Sequence, residues 1–282
     1  MSLDALALAK TSARLMDDFK ANLVFKLMTN QDYEGEVKFA SSLTIFMAPI
    51  PSTATYTRDS TTISYQRMIP SEQKLEIRQR KYWGIKADDL EKQLALQGGE
   101  MWSRTVRNGA FRLARDVDTH ISTVMAAAVP TANILTARTV GGAGASAYEL
   151  LVDMATTLKN NDVPMGDCHV AIPPGYHGLL TKDVRFTGFN TAEARRTIKG
   201  EVIGEIEDLK IHISTDVPLS GSTYTIIACS REGTTCAEQL SEVEMVPRDK
   251  DDFDDRIRSQ LVFDAKVTQP QALVKCAIQI AS

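Results

Sequence analysis

Trp102–Ala128 reads WSRTVRNGAFRLARDVDTHISTVMAAA. Its residues Trp102, Val106, Ala110, Leu113, Val117, Ile121, Val124 and Ala128 recur every three or four positions, the period that stacks side chains on one face of an α-helix. At about 1.5 Å per residue this helix should reach roughly 40 Å. Arg104, Arg107, Arg112 and Arg115 fall mostly off the apolar stripe, and Pro130 lies just beyond its end, where a residue without an amide proton cannot continue the turn. Gly98 and Gly99 predict a break from a shorter helix starting around Asp88.

On the N-terminal side, Leu3–Met28 has helix-forming composition, with Leu8, Leu15, Phe19, Leu23 and Leu27 near a helical repeat, and reads as an amphipathic arm. Val37, Phe39, Leu43, Ile45 and Met47 then alternate as in a strand. Pro49 and Pro51 follow in a Ser/Thr-rich stretch that ends near Thr62, and a second β-rich run covers Ile63–Trp83. Together these predict a long β-hairpin whose polar tip is too extended to bury itself.

On the C-terminal side the texture is α/β. A loop at Gly141–Ala145, a helix at Ser146–Asn160, a short strand at Cys168–Ile172 and a helix near Pro174–Thr181 follow one another. Strand patterns then dominate at Val202–Ile206, Leu209–Ile213, Tyr224–Cys229, Val243–Val246 and Leu261–Ile280. No internal repeat or low-complexity tract interrupts the chain.

A chain of 282 residues that is 43% hydrophobic can bury a real core in one or two domains. A formal charge of -4 argues against tight binding of nucleic acid, which needs a concentrated basic surface, so any contact with DNA should be weak. Cys168, Cys229, Cys236 and Cys276 show no CxxC spacing and are expected to be buried thiols. Met1–Lys20 has no long apolar segment and does not read as a secretory signal, which implies folding in a cytoplasm. Phe39–Thr57 and Thr119–Ala137 are uncharged over lengths that could cross a bilayer, but Ser, Thr and Pro interrupt them; no membrane contact is expected.

Enzyme chemistry finds little support. Gly142-Ala143-Gly144-Ala145-Ser146-Ala147 fits the GxGxxA pattern that cradles a pyrophosphate. The preceding Leu135–Val140 is only a marginal strand, however, and Ser146 with Glu149 forms a capping box that explains the helix start without a ligand. His120, His169, His177 and His212 lack HxxxH spacing, so a metal site would need distant segments. Asp116 and Asp118 lie near His120, but on a helix whose apolar face is already accounted for, which does not by itself point to acid/base chemistry. The run Arg248–Arg256 is rich in carboxylates, at Asp249, Asp251, Asp252, Asp254 and Asp255, yet lacks the order of an EF-hand. It reads as a solvated acidic loop or as an electrostatic contact with a neighbouring subunit, for which the basic base of the hairpin, Lys74, Arg78, Arg80 and Lys81, is a complementary partner.

In this order the features resemble the major capsid protein of tailed bacteriophages, the HK97-like fold, over nearly the whole chain. The segment Tyr82-Trp83-Gly84-Ile85-Lys86-Ala87-Asp88-Asp89-Leu90-Glu91-Lys92-Gln93 is similar to the family's lead-in to its spine helix. Gly200–Ser214 resembles its axial strand-turn-strand, and Phe263–Val274 its terminal strand passage. The resemblance implies an α+β fold with an N-terminal arm (residues 1–35), an extended β-hairpin or E-loop (36–85), a peripheral domain with the spine helix (86–130), an axial α/β domain (131–244) and C-terminal strands completing both domains (245–282).

It further implies a non-enzymatic subunit without cofactor or metal, assembling through hexamers and pentamers into an icosahedral shell around a viral genome, made in the host cytoplasm and ending in the virion. Inter-subunit contacts would involve Pro49, Pro51, Tyr56 and Arg58 at the hairpin tip together with the basic and acidic residues above. A separate scaffolding protein is expected, because the chain starts almost directly with the arm; a portal and a decoration protein are further expected partners, with packaged double-stranded DNA contacted weakly. Two other readings stay open: an encapsulin-like nanocompartment shell, and a nucleotide-binding α/β enzyme using Gly142 and Gly144.

Overall fold

The computed structural model describes residues 24–32, 42–58, 63–88, 98–141, 145–183, 204–240, 244–246 and 254–281. Its helices are α1 (Val24–Leu27), α2 (Gly98–Ala128), α3 (Ala147–Asn160) and α4 (Pro174–Leu180). Its strands in the first half are β1 (Ser42–Met47), β2 (Ser71–Glu76), β3 (Gln79–Asp88), β4 (Ile134–Val140) and β5 (Cys168–Ile172). In the second half they are β6 (Gly204–Ile206), β7 (Leu209–Ile213), β8 (Leu219–Ser220), β9 (Thr223–Ser230), β10 (Thr234–Leu240), β11 (Glu244–Val246), β12 (Asp254–Val267) and β13 (Leu273–Ile280).

The long helix buries Val106, Ala110, Leu113, Ala114, Val117, Ile121, Met125 and Val129 just past its end. The predicted stripe therefore holds from Val106 to Ile121, the side chain of Trp102 lying outside those described, and then shifts by one residue: Met125 and Val129 are buried where Val124 and Ala128 were expected, and those two are only partly covered. Steps of four from Ile121 follow the helix as it runs between its neighbours better than the step of three read from sequence. Gly98 and Gly99 are the first residues of α2, not a break before it, and Asp88 ends strand β3; the shorter helix expected after it falls on residues outside those described. Gly109 in mid-helix has a packing reason, since a Cβ there would come within 3.0 Å of the Trp83 ring.

Two sheets meet α2. One has the order β10-β12-β11 with β3 also paired to β12, and it packs Ile257, Leu261, Phe263, Ala265 and Val267 against the helix. The other contains β4-β13-β9-β5-β7-β6 with β8 beside β9. Its Ala171, Ile227, Cys229 and Leu273 join the same cluster as the helix. On its opposite face α3 and α4 bury Leu150, Leu151, Met154, Leu158, Tyr176 and Leu180 on Val170, Ile172, Ile211, Ile226, Val274 and Ile278. Each large side chain so buried contributes about 1.5–3 kcal/mol of transfer free energy.

Several elements differ from their sequence reading. Ile63–Trp83 is not one return strand: Ser71–Glu76 pairs with β1, and the chain then leaves the hairpin to pair with β12, where Trp83 finds apolar cover against the helix. Leu261–Ile280 is two strands broken at Pro270, which starts a short 3-10 turn because it has no amide for a ladder. Thr234–Leu240, not read as a strand, pairs with β12, so the segment assigned to 131–244 contributes β10, and β11 at its end, to the sheet of the spine helix. Leu135–Val140 is a full strand, parallel to β13. Asp254 and Asp255 belong to β12, not to a loop.

The described end of the arm is locked into this core. Phe25 and Met28 are fully buried against α2, Lys26 forms an ion pair with Glu238, and Asn30 donates its amide to Thr234 O (2.8 Å) and accepts from Cys236 N (3.1 Å). Asp118, 2% exposed, accepts the amides of Val24 (2.9 Å) and Phe25 (3.3 Å) through Oδ2. Burial pushes its carboxyl up to about 7, against the opposing pull of those amides, and the charge of Asp216 adds to the rise. The folded state therefore holds this proton between the ordinary carboxylate range and neutrality, where the unfolded chain has released it. Stability from this group is present at low pH and is lost as pH rises toward 7. Asp118→Asn should accordingly melt close to the parent at pH 4 and be more stable at pH 8, by on the order of 4 kcal/mol, since each tenfold difference in proton affinity between the folded and unfolded states corresponds to about 1.4 kcal/mol. Calorimetry of both proteins across that range measures this; a difference independent of pH contradicts it.

Candidate assembly surface

The hairpin of β1 and β2 pairs Ser42 with Glu76 through to Met47 with Ser71. Alternation puts Leu43, Ile45 and Leu75 on one face, where they form a small cluster with Ala237 of β10, joined by Ile77. Gln73 Nε2 donates to Thr268 O (3.0 Å), and Lys266 Nζ to Lys74 O (2.9 Å). These contacts fasten the base.

Beyond the base, residues 48–58 and 63–70 have no regular secondary structure and are exposed throughout. Within this part of the hairpin the two sides are tied by Ser52 N donating to Gln66 Oε1 (3.1 Å) and by a second contact between Gln66 Nε2 and the Ser52 hydroxyl. The tip carries large apolar side chains that the described residues leave bare: Ile50 is 95% exposed, Tyr65 92% and Met68 83%. Tyr56, Ile63 and Ile69 are also exposed, as is Phe46 on the outer face of β1. A concentration of this kind makes the tip the candidate contact surface of the subunit. The extended shape agrees with the sequence reading, but the polar character expected of the tip does not. The signal passed over is six large apolar residues, Ile50, Tyr56, Ile63, Tyr65, Met68 and Ile69, set without period among Pro, Ser and Thr.

The residues expected to make contacts are distributed as follows. Pro49, Pro51, Tyr56 and Arg58 are all exposed on the tip. Lys74 and Arg78 flank Glu76 of their own chain: Lys74 Nζ lies 3.6 Å from Oε1, and Arg78 Nε donates to Oε2 at 3.0 Å. The Arg78 hydrogen bond and charge hold the Glu76 carboxyl below its ordinary value. Such exposed pairs contribute little stability and leave the cations accessible. Arg80 and Lys81 are successive residues of β3 and so leave opposite faces. Arg80 joins Tyr82 (81% exposed), Lys86, Arg256 and Arg258 along a concavity of about 740 Å³.

The acidic run divides. Asp254 pairs with Lys86 (3.0 Å) across β12 and β3, Asp255 is half-buried in β12, and Asp249, Asp251 and Asp252 lie outside the described residues. Asp254 thus has a cation of its own chain, one not among the expected partners, because antiparallel pairing brings Lys86 opposite Arg256, two residues from Asp254.

Several other candidate residues have structural partners. Ser146 caps α3, its hydroxyl accepting from Tyr148 N (3.2 Å) and donating to Asp183 Oδ2 (2.8 Å); Gly142 and Gly144 lie outside the described residues. All four cysteines are buried free thiols, and burial pushes Cys168 up to about 11. His120 turns away from Asp116 and Asp118 to Asp264 of β12 (2.9 Å).

His169 and His212, distant in sequence, meet on the parallel strands β5 and β7, with Nδ1 of the first 2.9 Å from Nε2 of the second. Asp167 receives His169 Nε2 (3.0 Å) and Lys210 Nζ (2.8 Å) on one oxygen, and the Lys210 bond keeps its carboxyl below the usual range. Burial lowers His169 and so favours its neutral ring. Among the described residues no three His, Cys, Asp or Glu side chains are placed to hold a metal ion, and no helix is long and apolar enough to cross a membrane.

No model of a known protein family and no curated protein matches the chain. Solved structures do. The capsid of Ralstonia phage GP4 superposes with a TM-score of 0.69 over 94% of this chain and 91% of its own, at 11% identity. The structure described as Mycobacterium phage Che8 gives 0.68 over 90% of each chain, at 22% identity. The chain has the HK97-like capsid fold. The same fold in the holo-SrpI encapsulin complex from Synechococcus elongatus PCC 7942 is more distant, with a TM-score of 0.55 over 84% of this chain and 81% of that one, at 11% identity. In the terms of that fold, α2 is the spine helix and β1 with β2 is the base of the E-loop.

Because Ile50 and Tyr65 are almost wholly exposed, Ile50→Ser combined with Tyr65→Ser should leave the unassembled protein's stability within about 0.5 kcal/mol of the parent. Denaturant unfolding measures it, and a substantial loss would show that the tip packs on its own subunit.

Proposed function

We propose that this chain is the major capsid protein of a tailed bacteriophage, assembling through hexamers and pentamers into an icosahedral shell that encloses the viral genome. The observation that carries the proposal is the E-loop: a hairpin anchored at its base, with Ile50, Tyr65 and Met68 left bare, on a body that among the described residues presents fewer large apolar side chains. Laid over an adjacent subunit, the tip buries those side chains, and the modest area of each contact is multiplied around a closed shell. The role is structural, not enzymatic.

Electrostatics set the register between subunits in this proposal. The cations at the hairpin base and on β3, Lys74, Arg78, Arg80 and Lys81, face the acidic run Asp249, Asp251, Asp252, Asp254 and Asp255 of a neighbour. The partners are other copies of the chain, a separate scaffolding protein, a portal and a decoration protein. With a net charge of -4, the shell contacts its packaged DNA weakly. The product is the virion, assembled in the host cytoplasm.

The encapsulin likeness supports a second reading, a nanocompartment shell around a cargo protein. Genomic neighbourhood separates the two: terminase and portal genes accompany a capsid gene, a ferritin-like or peroxidase gene a compartment.

Deleting Ser52–Thr62 should leave a soluble, folded protein that no longer forms normal shells when expressed with its scaffold, as seen by negative-stain microscopy; normal particles from the deletion overturn the role given to the E-loop. Arg78→Glu with Arg80→Glu should weaken assembly, with a defect that changes with salt because exposed charges are screened over about 10 Å at 0.1 M. Light scattering across a salt series measures this, and unchanged assembly at every ionic strength refutes it.

A further inference from the structure

The strands of the hairpin belong to a sheet separate from that of β3, so the hairpin's direction is set where the chain passes from one to the other, at Ile77 and Arg78. At that point the backbone has left the β1–β2 ladder and has not yet joined β12, whose last partner in β3 is Gln79 opposite Phe263. The next residue of β12 is Asp264. Its Oδ2 accepts the Arg78 amide at 3.1 Å, supplying with a side chain the hydrogen bond that the ladder no longer provides.

The other oxygen, Oδ1, takes His120 Nε2 of α2 at 2.9 Å and the amide of Ala265 at 2.8 Å. The His120 ring is itself seated edge-on to Phe263, with centroids 5.5 Å apart. Burial pushes the Asp264 carboxyl up, but the His120 bond and the two amides outweigh it and hold it below its ordinary value. One carboxylate thus joins three elements: the spine helix, the central strand of its sheet and the root of the E-loop. Opposite Asp264 across β10 is Ala237, the body residue on which Leu43, Ile45 and Leu75 rest.

We infer that Asp264, oriented by His120, is the positioning residue that fixes the angle at which the E-loop leaves the subunit. Its purpose rests on the assembly reading, since an E-loop held at one angle meets its neighbour without the entropy of searching for it. The latch itself is a property of the single subunit. Removing the carboxylate frees the Arg78 amide and leaves the hairpin anchored by the small apolar cluster and by the contacts of Gln73 and Lys266.

The test uses unassembled full-length protein with Thr44→Cys and Thr123→Cys, both at exposed positions, carrying spin labels; the four native thiols are buried, and the parent treated with the label serves as the control for their labelling. Pulsed electron resonance reports the distance distribution between β1 and α2. Asp264→Ala should at least double its width, and His120→Ala should broaden it less, while His120→Gln, whose amide can still donate, should restore most of the narrow distribution. Circular dichroism and melting identify any variant that has lost its fold, and His120→Ala, removing a partly exposed side chain, keeps the test decisive if Asp264→Ala unfolds. Parental widths in folded Asp264→Ala, or in His120→Ala when that alone folds, overturn the latch, whatever the shells do. Failure of the parent protein to form shells with its scaffold would instead strike the assembly reading and leave the latch standing.

Discussion

The apolar stripe of α2 is the constraint to which the rest of the structure answers. A helix of this length, buried from Val106 to Val129, cannot be covered by a single short sheet. It is covered by two, the β3-β12-β10 sheet along one side and the ends of β5, β9 and β13 at the other. Close packing of one rigid rod against both makes their relative placement a single solution, because an interior packed to crystal density does not tolerate sliding. The docked end of the arm adds a third contact through Phe25 and Met28, held by Asp118 from the helix itself.

From this follows a division between burial and exposure. Among the described residues the body satisfies most of its apolar side chains internally and presents few outside the hairpin. The E-loop does the reverse: its base is anchored by a cluster of three hairpin side chains on Ala237 and its tip presents aromatic and aliphatic side chains to solvent. In a monomer that is an unfavourable state; in the shell proposed above it would be the contact. The hydrogen bonds at Asp264 connect the two regimes, so the rigid spine and the projecting hairpin share one carboxylate.

Much of this is legible in the sequence because it depends on local periodicity. The spine helix, the helix at Ser146–Asn160 and strands such as Cys168–Ile172 carry their pattern in neighbouring residues, as does the cap at Ser146. What escapes a local reading depends on partners far along the chain. Tyr82–Asp88 resembles a lead-in to the helix, but pairs with β12, where Trp83 meets α2. Asp254 and Asp255 read as loop because charge is a poor sign of a strand, and only the register with β3 gives Asp254 its Lys86. The pairing of His169 with His212 and of His120 with Asp264 leaves no spacing to detect.

Taken a few residues at a time, side-chain chemistry was enough to say which segments could be helix or strand, that the hairpin could not bury itself, and that the order of elements resembles a capsid subunit. Three-dimensional packing was needed to say which sheet β3, β10 and β12 belong to, where the hairpin ends and the body begins, which side chains at the tip are bare, and that one aspartate joins the E-loop to the spine. Each of these is a relation between residues far apart along the chain, set by the burial of the whole core and recorded in no local stretch of sequence.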